Sequence, residues 1–142
     1  MTHKENKTGY GRCAKAGLDA KLPAIECFDN QFRFYTITTT IPEYTSMCPR
    51  TGQPDFGMIV IEYEPEDLVI ELKSLKLYLQ GYRNLGIFYE NAVNRILDDV
   101  VKACKPRWCT VKGDFSPRGG IRSTIEVSYP RRSKEHSRIG KF

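Results

Sequence analysis

Residues 71–105, ELKSLKLYLQGYRNLGIFYENAVNRILDDVVKACK, decide the fold, because apolar residues recur there at helical spacing while the chain on either side alternates as strands do. Leu72, Leu75, Leu79 and Tyr82 fall on one helical face, and the pattern closes near Gly86. A second helix fits residues 89–105. Its Val93, Ile96, Leu97, Val100, Val101 and Cys104 form an apolar stripe, with Asn91, Arg95, Asp98, Asp99 and Lys102 on the opposite face.

Downstream, residues 108–115 alternate, SPRGG (116–120) reads as a turn, and residues 121–129 alternate again. Upstream, QFRFYTITTTI (31–41) is aromatic and β-branched and stops at Pro42, and MIVIEYEP (58–65) is a second β-rich run. Between them PEYTSMCPRTGQPDFG (42–57) carries Pro42, Pro49, Gly52, Pro54 and Gly57. It reads as a loop of about 15 residues, longer than an ordinary hairpin connection and therefore expected to be functional. The order ββααββ predicts an α+β domain, a four-stranded antiparallel sheet with two helices on one face. Its two open sheet edges invite pairing, so subunits joined into a ring or barrel are expected, with ligand sites between them.

A chain of 142 residues suits one domain and is too short for a full dinucleotide-binding fold plus a substrate domain. With 40% hydrophobic and 11% aromatic residues it is not a mainly disordered chain. No apolar run approaches the roughly 20 residues of a membrane span, and the polar start MTHKENKTGYGR lacks the apolar centre of a leader, so the cytoplasm is the expected location. Five cysteines at irregular spacing, without a CxxC pair and with histidines only at positions 3 and 136, give no basis for a disulfide scaffold or a zinc site. Cys27, Cys104 and Cys109 lie beside apolar residues and read as small core hydrophobes.

The net charge of +5 belongs to the ends. Residues 1–27 hold five basic and three acidic groups, residues 28–129 hold 12 and 13, and residues 130–142 hold five and one. Residues 1–22 are expected to be a flexible segment, 23–129 the domain, and 130–142 a mobile basic tail. A tail of that kind also serves an RNA-binding module, but a nearly neutral domain gives no direct nucleic-acid partner. Gly9-Tyr-Gly11-Arg-Cys-Ala14 matches a dinucleotide fingerprint only in letters, since a polar segment precedes it and no apolar helix follows.

The chemistry concentrates in Cys48-Pro-Arg-Thr-Gly-Gln-Pro-Asp55. A thiol in a polar loop near Arg50 is a candidate thiolate nucleophile, and Asp55, seven residues on, a candidate proton donor. Alone, the same residues serve equally as an incidental loop cysteine and a turn-forming aspartate. Glu71 at a helix start is a candidate ligand group or a plain partner of the helix dipole, and Glu90 has the same local reason at the second helix. Lys73 and Lys76 share a helix face and suit a phosphate or solvent.

Taken together, CPRTGQPDFG, ELKSLKLYLQGYRN and GIFYENAVNRI resemble the QueF-type 7-cyano-7-deazaguanine reductases, the single-module branch related to GTP cyclohydrolase I. The resemblance runs from about Pro23 to Tyr129, and ELKSLKLY matches the family signature at every position. It implies the tunnelling fold, the same ββααββ order, and a homo-oligomer, a decamer of two pentameric rings. It further implies Cys48 as the nucleophile that forms a thioimide with the substrate nitrile and Asp55 as proton donor. Glu90 and Tyr89 would contact the base, with Ile70, Glu71 and Leu72 lining its pocket. NADPH is the implied cofactor, with Lys73 and Lys76 near its phosphates and no metal. Tyr89 departs from the histidine common before this glutamate, and a tyrosine still donates a hydrogen bond. The implied activity is reduction of the nitrile to the aminomethyl base in transfer-RNA queuosine synthesis. A non-reducing, archaeosine synthase-like relative that attacks the same nitrile is the nearest alternative.

Overall fold

The computed structural model describes residues 13–131. The N-terminal dozen residues and the basic tail beyond Arg131 lie outside the described residues, and with them most of the expected flexible segment and nearly all of the expected tail.

The apolar alternation of the second β-rich run sets the core. β1 (Cys27–Asp29), β2 (Ile37–Met47), β3 (Pro54–Glu64) and β4 (Leu68–Ile70) precede α1 (Leu72–Gln80) and α2 (Tyr89–Cys104), and β5 (Trp108–Phe115) and β6 (Thr124–Tyr129) follow. The main sheet is antiparallel in the order β2-β3-β5-β6. Its inward residues Ile59, Ile61 and Tyr63 of β3 and Cys109, Val111 and Phe115 of β5 are buried. They share one core with Leu75, Tyr78 and Leu79 of α1 and Val93, Ile96, Leu97, Val100 and Cys104 of α2. Burying an aliphatic side chain of this size contributes about 1.5 to 3 kcal/mol, so this layer is the main source of stability. At Gly113 a Cβ would stand 2.7 Å from Val93 Cγ2, so the missing side chain is what lets α2 approach the sheet.

Several boundaries differ from the sequence reading. The first long strand does not stop at Pro42 but runs on to Met47, with a register shift between Ile41 and Tyr44 that takes up the proline. β2 is an edge strand, where a missing N–H costs no ladder bond. β3 starts at Pro54 rather than Met58, so the expected loop of residues 42–57 shortens to the turn of residues 48–53. The first helix ends at Gln80 instead of near Gly86, and the last strand begins at Thr124. A small sheet of β1 with β4, not foreseen, leads directly into α1.

After α1 the chain turns back along β2. The Met47 N–H donates to the Leu85 carbonyl and the Ile87 N–H to the Met47 carbonyl, both at 2.9 Å. These bonds bring the end of β2, and so Cys48, beside the start of α2. Residues 13–20 are strapped over α2: the Arg95 guanidinium donates to the carbonyls of Gly17 and Ala20, and Asn91 Nδ2 to that of Ala14 at 2.7 Å. Arg95, expected on the solvent face, is thereby largely covered, its side chain 13% exposed.

Candidate active site

Cys48 closes the β2–β3 hairpin. Its N–H donates to the Gln53 carbonyl and its own carbonyl accepts from Gly52 N–H, both at 2.8 Å, and Gly52 provides the positive φ of 69° that the turn requires. The turn curls its own donors toward the sulfur. Partial burial acts to raise the Cys48 thiol pKa, but hydrogen bonds from the Thr51 hydroxyl, the N–H groups of Thr51 and Arg50 and the Arg118 guanidinium outweigh it and hold the value below the ordinary 9.0. Burial has the opposite outcome elsewhere: Cys104 and Cys109 are each pushed up to about 12 and Cys27 is raised as well. Among these four thiols Cys48 alone is shifted toward the thiolate, which keeps it the candidate nucleophile, and the other three pack against the core.

Asp55 is not in a loop, as the sequence suggested, but the second residue of β3, directly opposite Ser46 of β2. It is 3% exposed. A carboxylate so buried needs partners. Oδ1 accepts from Arg118 Nη1 at 2.5 Å and from the Tyr89 hydroxyl at 2.9 Å. Tyr89 is held in turn by its ring, stacked on Phe115 with centroids 3.9 Å apart and planes 9° from parallel. Burial first, and the neighbouring Asp55 second, raise the Tyr89 phenol above its usual 10.0, so it stays a donor at neutral pH.

Arg118 was missed by sequence reasoning, which read SPRGG only as a turn. Its Nη2 also reaches Thr51 Oγ1 at 3.2 Å and Gln53 Oε1 at 3.5 Å, tying the β5–β6 connection to the Cys48 turn. The available signal was an arginine amid proline and glycine, chemically able to seek a carboxylate but without an indication of which one.

The remaining expected residues fall in two places. Glu90, exposed, follows Tyr89 on the first turn of α2. Ile70, Glu71, Leu72, Lys73 and Lys76 lie at the other helix. Ile70 is buried in the core, its N–H donating to the Tyr63 hydroxyl at 3.1 Å, so its side chain forms no open pocket wall. Glu71 caps α1, its carboxylate accepting from Ser74 N–H at 2.7 Å and Lys73 N–H at 2.9 Å. Those two backbone bonds, Ser74 foremost, lower its pKa from 4.5. The helix-start role weighed for Glu71 is therefore realised, though by a side-chain cap rather than by the dipole alone. Leu72 is 62% exposed, and Lys73 and Lys76 face solvent. Among the described residues no hydrogen bond or ion pair joins residues 70–76 to Cys48 or Asp55.

Two clefts neighbour the site without including Cys48. One of about 620 Å³ runs along Pro42, Phe56, Met58, Phe115, Pro117 and Arg122. The other, about 380 Å³, lies between α1 and β2, with Leu75 and Leu79 as apolar wall and Lys76, Gln80 and Arg83 as polar rim. Among the described residues no three His, Cys, Asp or Glu side chains stand together as metal ligands. Among the described residues no helix is long and apolar enough to cross a membrane.

Residues 54–134, from the strand that carries Asp55 through both helices and the Arg118 hairpin, match the sequence model of the family described as QueF-like protein. The chain belongs to the QueF-like family. A relative from Elusimicrobium minutum, named NADPH-dependent 7-cyano-7-deazaguanine reductase, is 58% identical over 120 residues, 84% of this chain and 91% of that protein. One of the same name from Chlorobaculum tepidum is 58% identical over 113 residues, 78% of this chain and 96% of its own. The fold is shared with the archaeosine synthase QueF-Like in its apo form: TM-score 0.60, 21% identity, 70% of this chain and 95% of that one. This likeness establishes the tunnelling fold and nothing finer.

Proposed function

We propose that this protein reduces the nitrile of 7-cyano-7-deazaguanine to the aminomethyl base with NADPH, in the synthesis of queuosine for transfer RNA. The observation that carries the reading is the Cys48 turn: a thiol whose pKa its own turn lowers, in the hairpin whose second strand presents a buried, doubly hydrogen-bonded Asp55. High identity to proteins named as reductases along most of the chain supports the same activity.

The chemistry follows from the weakness of a nitrile as an electrophile. Cys48 sulfur adds to the nitrile carbon while a proton passes to nitrogen through Asp55, giving a thioimide whose C=N is more reactive. When bound, NADPH supplies hydride. Reduction at the former nitrile carbon and loss of Cys48 as thiolate leave an imine, and a second reduction with a proton gives the amine, so two cofactor molecules are used per nitrile. The hydrogen bonds from Arg118 and Tyr89 both fall on Oδ1 of Asp55 and fix the carboxyl group beside the Cys48 hairpin, which suits it to proton transfer. Glu90, exposed one residue past Tyr89, accepts in parallel from the ring N–H and exocyclic amine of a guanine-like edge.

The cofactor fits the groove beside α1, whose apolar wall suits a ring and whose Lys76 and Arg83 suit phosphate, with Lys73 one turn away. That groove, with Leu72 in its lining, does not include Cys48 within one chain, which supports a site assembled between subunits. Exposed edges β2 and β6, and exposed Phe28, Phe34 and Ile121, supply surface for a homo-oligomer of two five-membered rings. A thiol that must remain reduced suits the cytoplasm.

The test mixes the full chain with 7-cyano-7-deazaguanine and NADPH and follows cofactor absorbance. Oxidation of two NADPH per nitrile is expected; none, with folded protein, overturns the reading. Substrate alone should leave a covalent adduct in the mass spectrum that Cys48→Ala abolishes. An adduct without NADPH consumption would instead favour the archaeosine synthase-like chemistry.

A further inference from the structure

The strap of residues 13–20 touches both the turn that carries Cys48 and the first turn of α2, which carries Tyr89 and Glu90. Within five consecutive residues it reaches each of them. Cys13 Sγ lies 3.8 Å from the carbonyl of Pro49, one residue past Cys48. The Ala14 carbonyl accepts from Nδ2 of Asn91, one residue past Glu90, at 2.7 Å. Gly17 packs so closely on Ile87 that a Cβ there would stand 2.6 Å from the Ile87 Cβ, and its φ of 82° is one that a side chain disfavours. Ile87 is also the residue whose N–H donates to the carbonyl of Met47, one residue before Cys48.

The far end of the strap is anchored in the core. Arg95 forks to the carbonyls of Gly17 and Ala20, and its Nε pairs with Asp99 at 3.3 Å. Asp99 in turn accepts from the hydroxyl of Tyr78, a buried residue of α1, at 2.5 Å. A covered guanidinium is costly unless its donors are partnered, and here two of its partners are the strap's own carbonyls. Peeling the strap away would therefore leave Arg95 short of acceptors, which holds residues 13–20 in place more firmly than surface packing would.

The two side chains at the start of α2 depend on this strap unequally. Tyr89 has supports of its own, the Phe115 ring and the Asp55 carboxylate. Glu90 is exposed, and among the described residues its carboxylate makes no hydrogen bond or ion pair, so its place is set by the helix backbone. We propose that the strap is a positioning element for Glu90, with Gly17 and Asn91 as its positioning residues and Arg95 as its anchor: it seams the first turn of α2 to the Cys48 turn and so holds the carboxylate in a set relation to the sulfur. The use of Glu90 for the base rests on the proposed activity. The seam does not.

The experiment uses the full chain carrying Gly17→Ala, Asn91→Ala or Asn91→Gln, each checked for folding by circular dichroism. Amide hydrogen exchange, read by mass spectrometry without substrate, follows residues 48–53 and 86–92. Binding of 7-cyano-7-deazaguanine is measured by calorimetry on Cys48→Ala carrying the same substitutions, so that no adduct forms. Gly17→Ala and Asn91→Ala should quicken exchange in both segments together, on the order of tenfold. They should weaken binding of the base by a similar factor, with the KM for NADPH in turnover unchanged. Alanine favours a helix more than asparagine does, so loosening in Asn91→Ala has no source in helix propensity. Asn91→Gln keeps the donor and should recover part of both effects. Folded Gly17→Ala and Asn91→Ala proteins that exchange as the wild type does, or faster in residues 86–92 alone, overturn the seam. Quickened exchange with unchanged affinity for the base overturns the positioning of Glu90. If neither the wild type nor Cys48→Ala binds the base, the proposed activity fails, and exchange still decides the seam.

Discussion

Replacing Tyr89 by phenylalanine removes a single oxygen from the site and leaves the ring on Phe115. The oxygen is one of two donors to Asp55 Oδ1, at 2.9 Å. A hydrogen bond to a charged group contributes about 1.5 to 3 kcal/mol, and a neutral one about 0.5 to 1.5. Here the carboxylate oxygen retains Arg118, so the acceptor is not orphaned, and the loss should fall near the boundary of those ranges, about 1 to 2 kcal/mol. That predicts a melting temperature lower by roughly 3 to 8 °C for a domain of this size. If the bond holds Asp55 for proton transfer, the same energy appears as a fall of about 5- to 30-fold in kcat. NADPH absorbance gives the rate, and differential scanning calorimetry the melting point. Tyr89→Ala, which also loses the stack, should be less stable than Tyr89→Phe by a further 0.5 to 1.5 kcal/mol or more, the approximate value of an aromatic pair. Tyr89→His restores a donor and should recover part of the rate. The wild-type phenol is raised above 10.0, so its contribution as donor is complete below that value and is lost only as pH rises through the higher folded value. Wild-type kcat and melting point in Tyr89→Phe, or identical behaviour of the phenylalanine and alanine variants, would refute the role assigned to the hydroxyl.

Gly113→Ala should cost about 1 to 3 kcal/mol, because the new methyl would stand 2.7 Å from Val93 and 2.8 Å from the Phe115 ring; since Phe115 carries Tyr89, activity should fall as well, and an unchanged denaturant midpoint would show that α2 can retreat without cost. Glu71→Ala tests the helix cap through pH: the lowered folded pKa means that the cap stabilises fully above the ordinary 4.5 and is lost as pH falls through the lower folded value, so the two proteins should converge in acid, and parallel stability curves would contradict the cap.

The helices and most of the sheet were legible because their signals are local. A period near 3.6 in residues 89–105 and a period of 2 in 108–115 record which face will be buried, whatever the partner is. Pro42 misled for a comparable reason. Within the sequence it ends a strand, whereas at a sheet edge, with the register shift beside it, it is tolerated inside one. The same error placed Asp55 in a loop. The candidate site was legible to the extent that chemistry marks a residue by type and motif, which singled out Cys48, Asp55 and the Tyr89-Glu90 pair as candidates. It was not legible for Arg118, whose relevance comes from a contact spanning 63 residues.

Sequence alone thus determined the order of the two helices and of the four strands of the main sheet and the family resemblance, and it singled out Cys48 and Asp55 as candidates for nucleophile and acid, since each depends on side-chain chemistry or short-range spacing. Tertiary structure decided which thiol is favoured as thiolate, that Asp55 is buried and held by Arg118 and Tyr89, and that Glu71 is occupied by its own helix. Burial and charge proximity are properties of the folded chain, and they set the energy of an ionised group more strongly than its neighbours in sequence do.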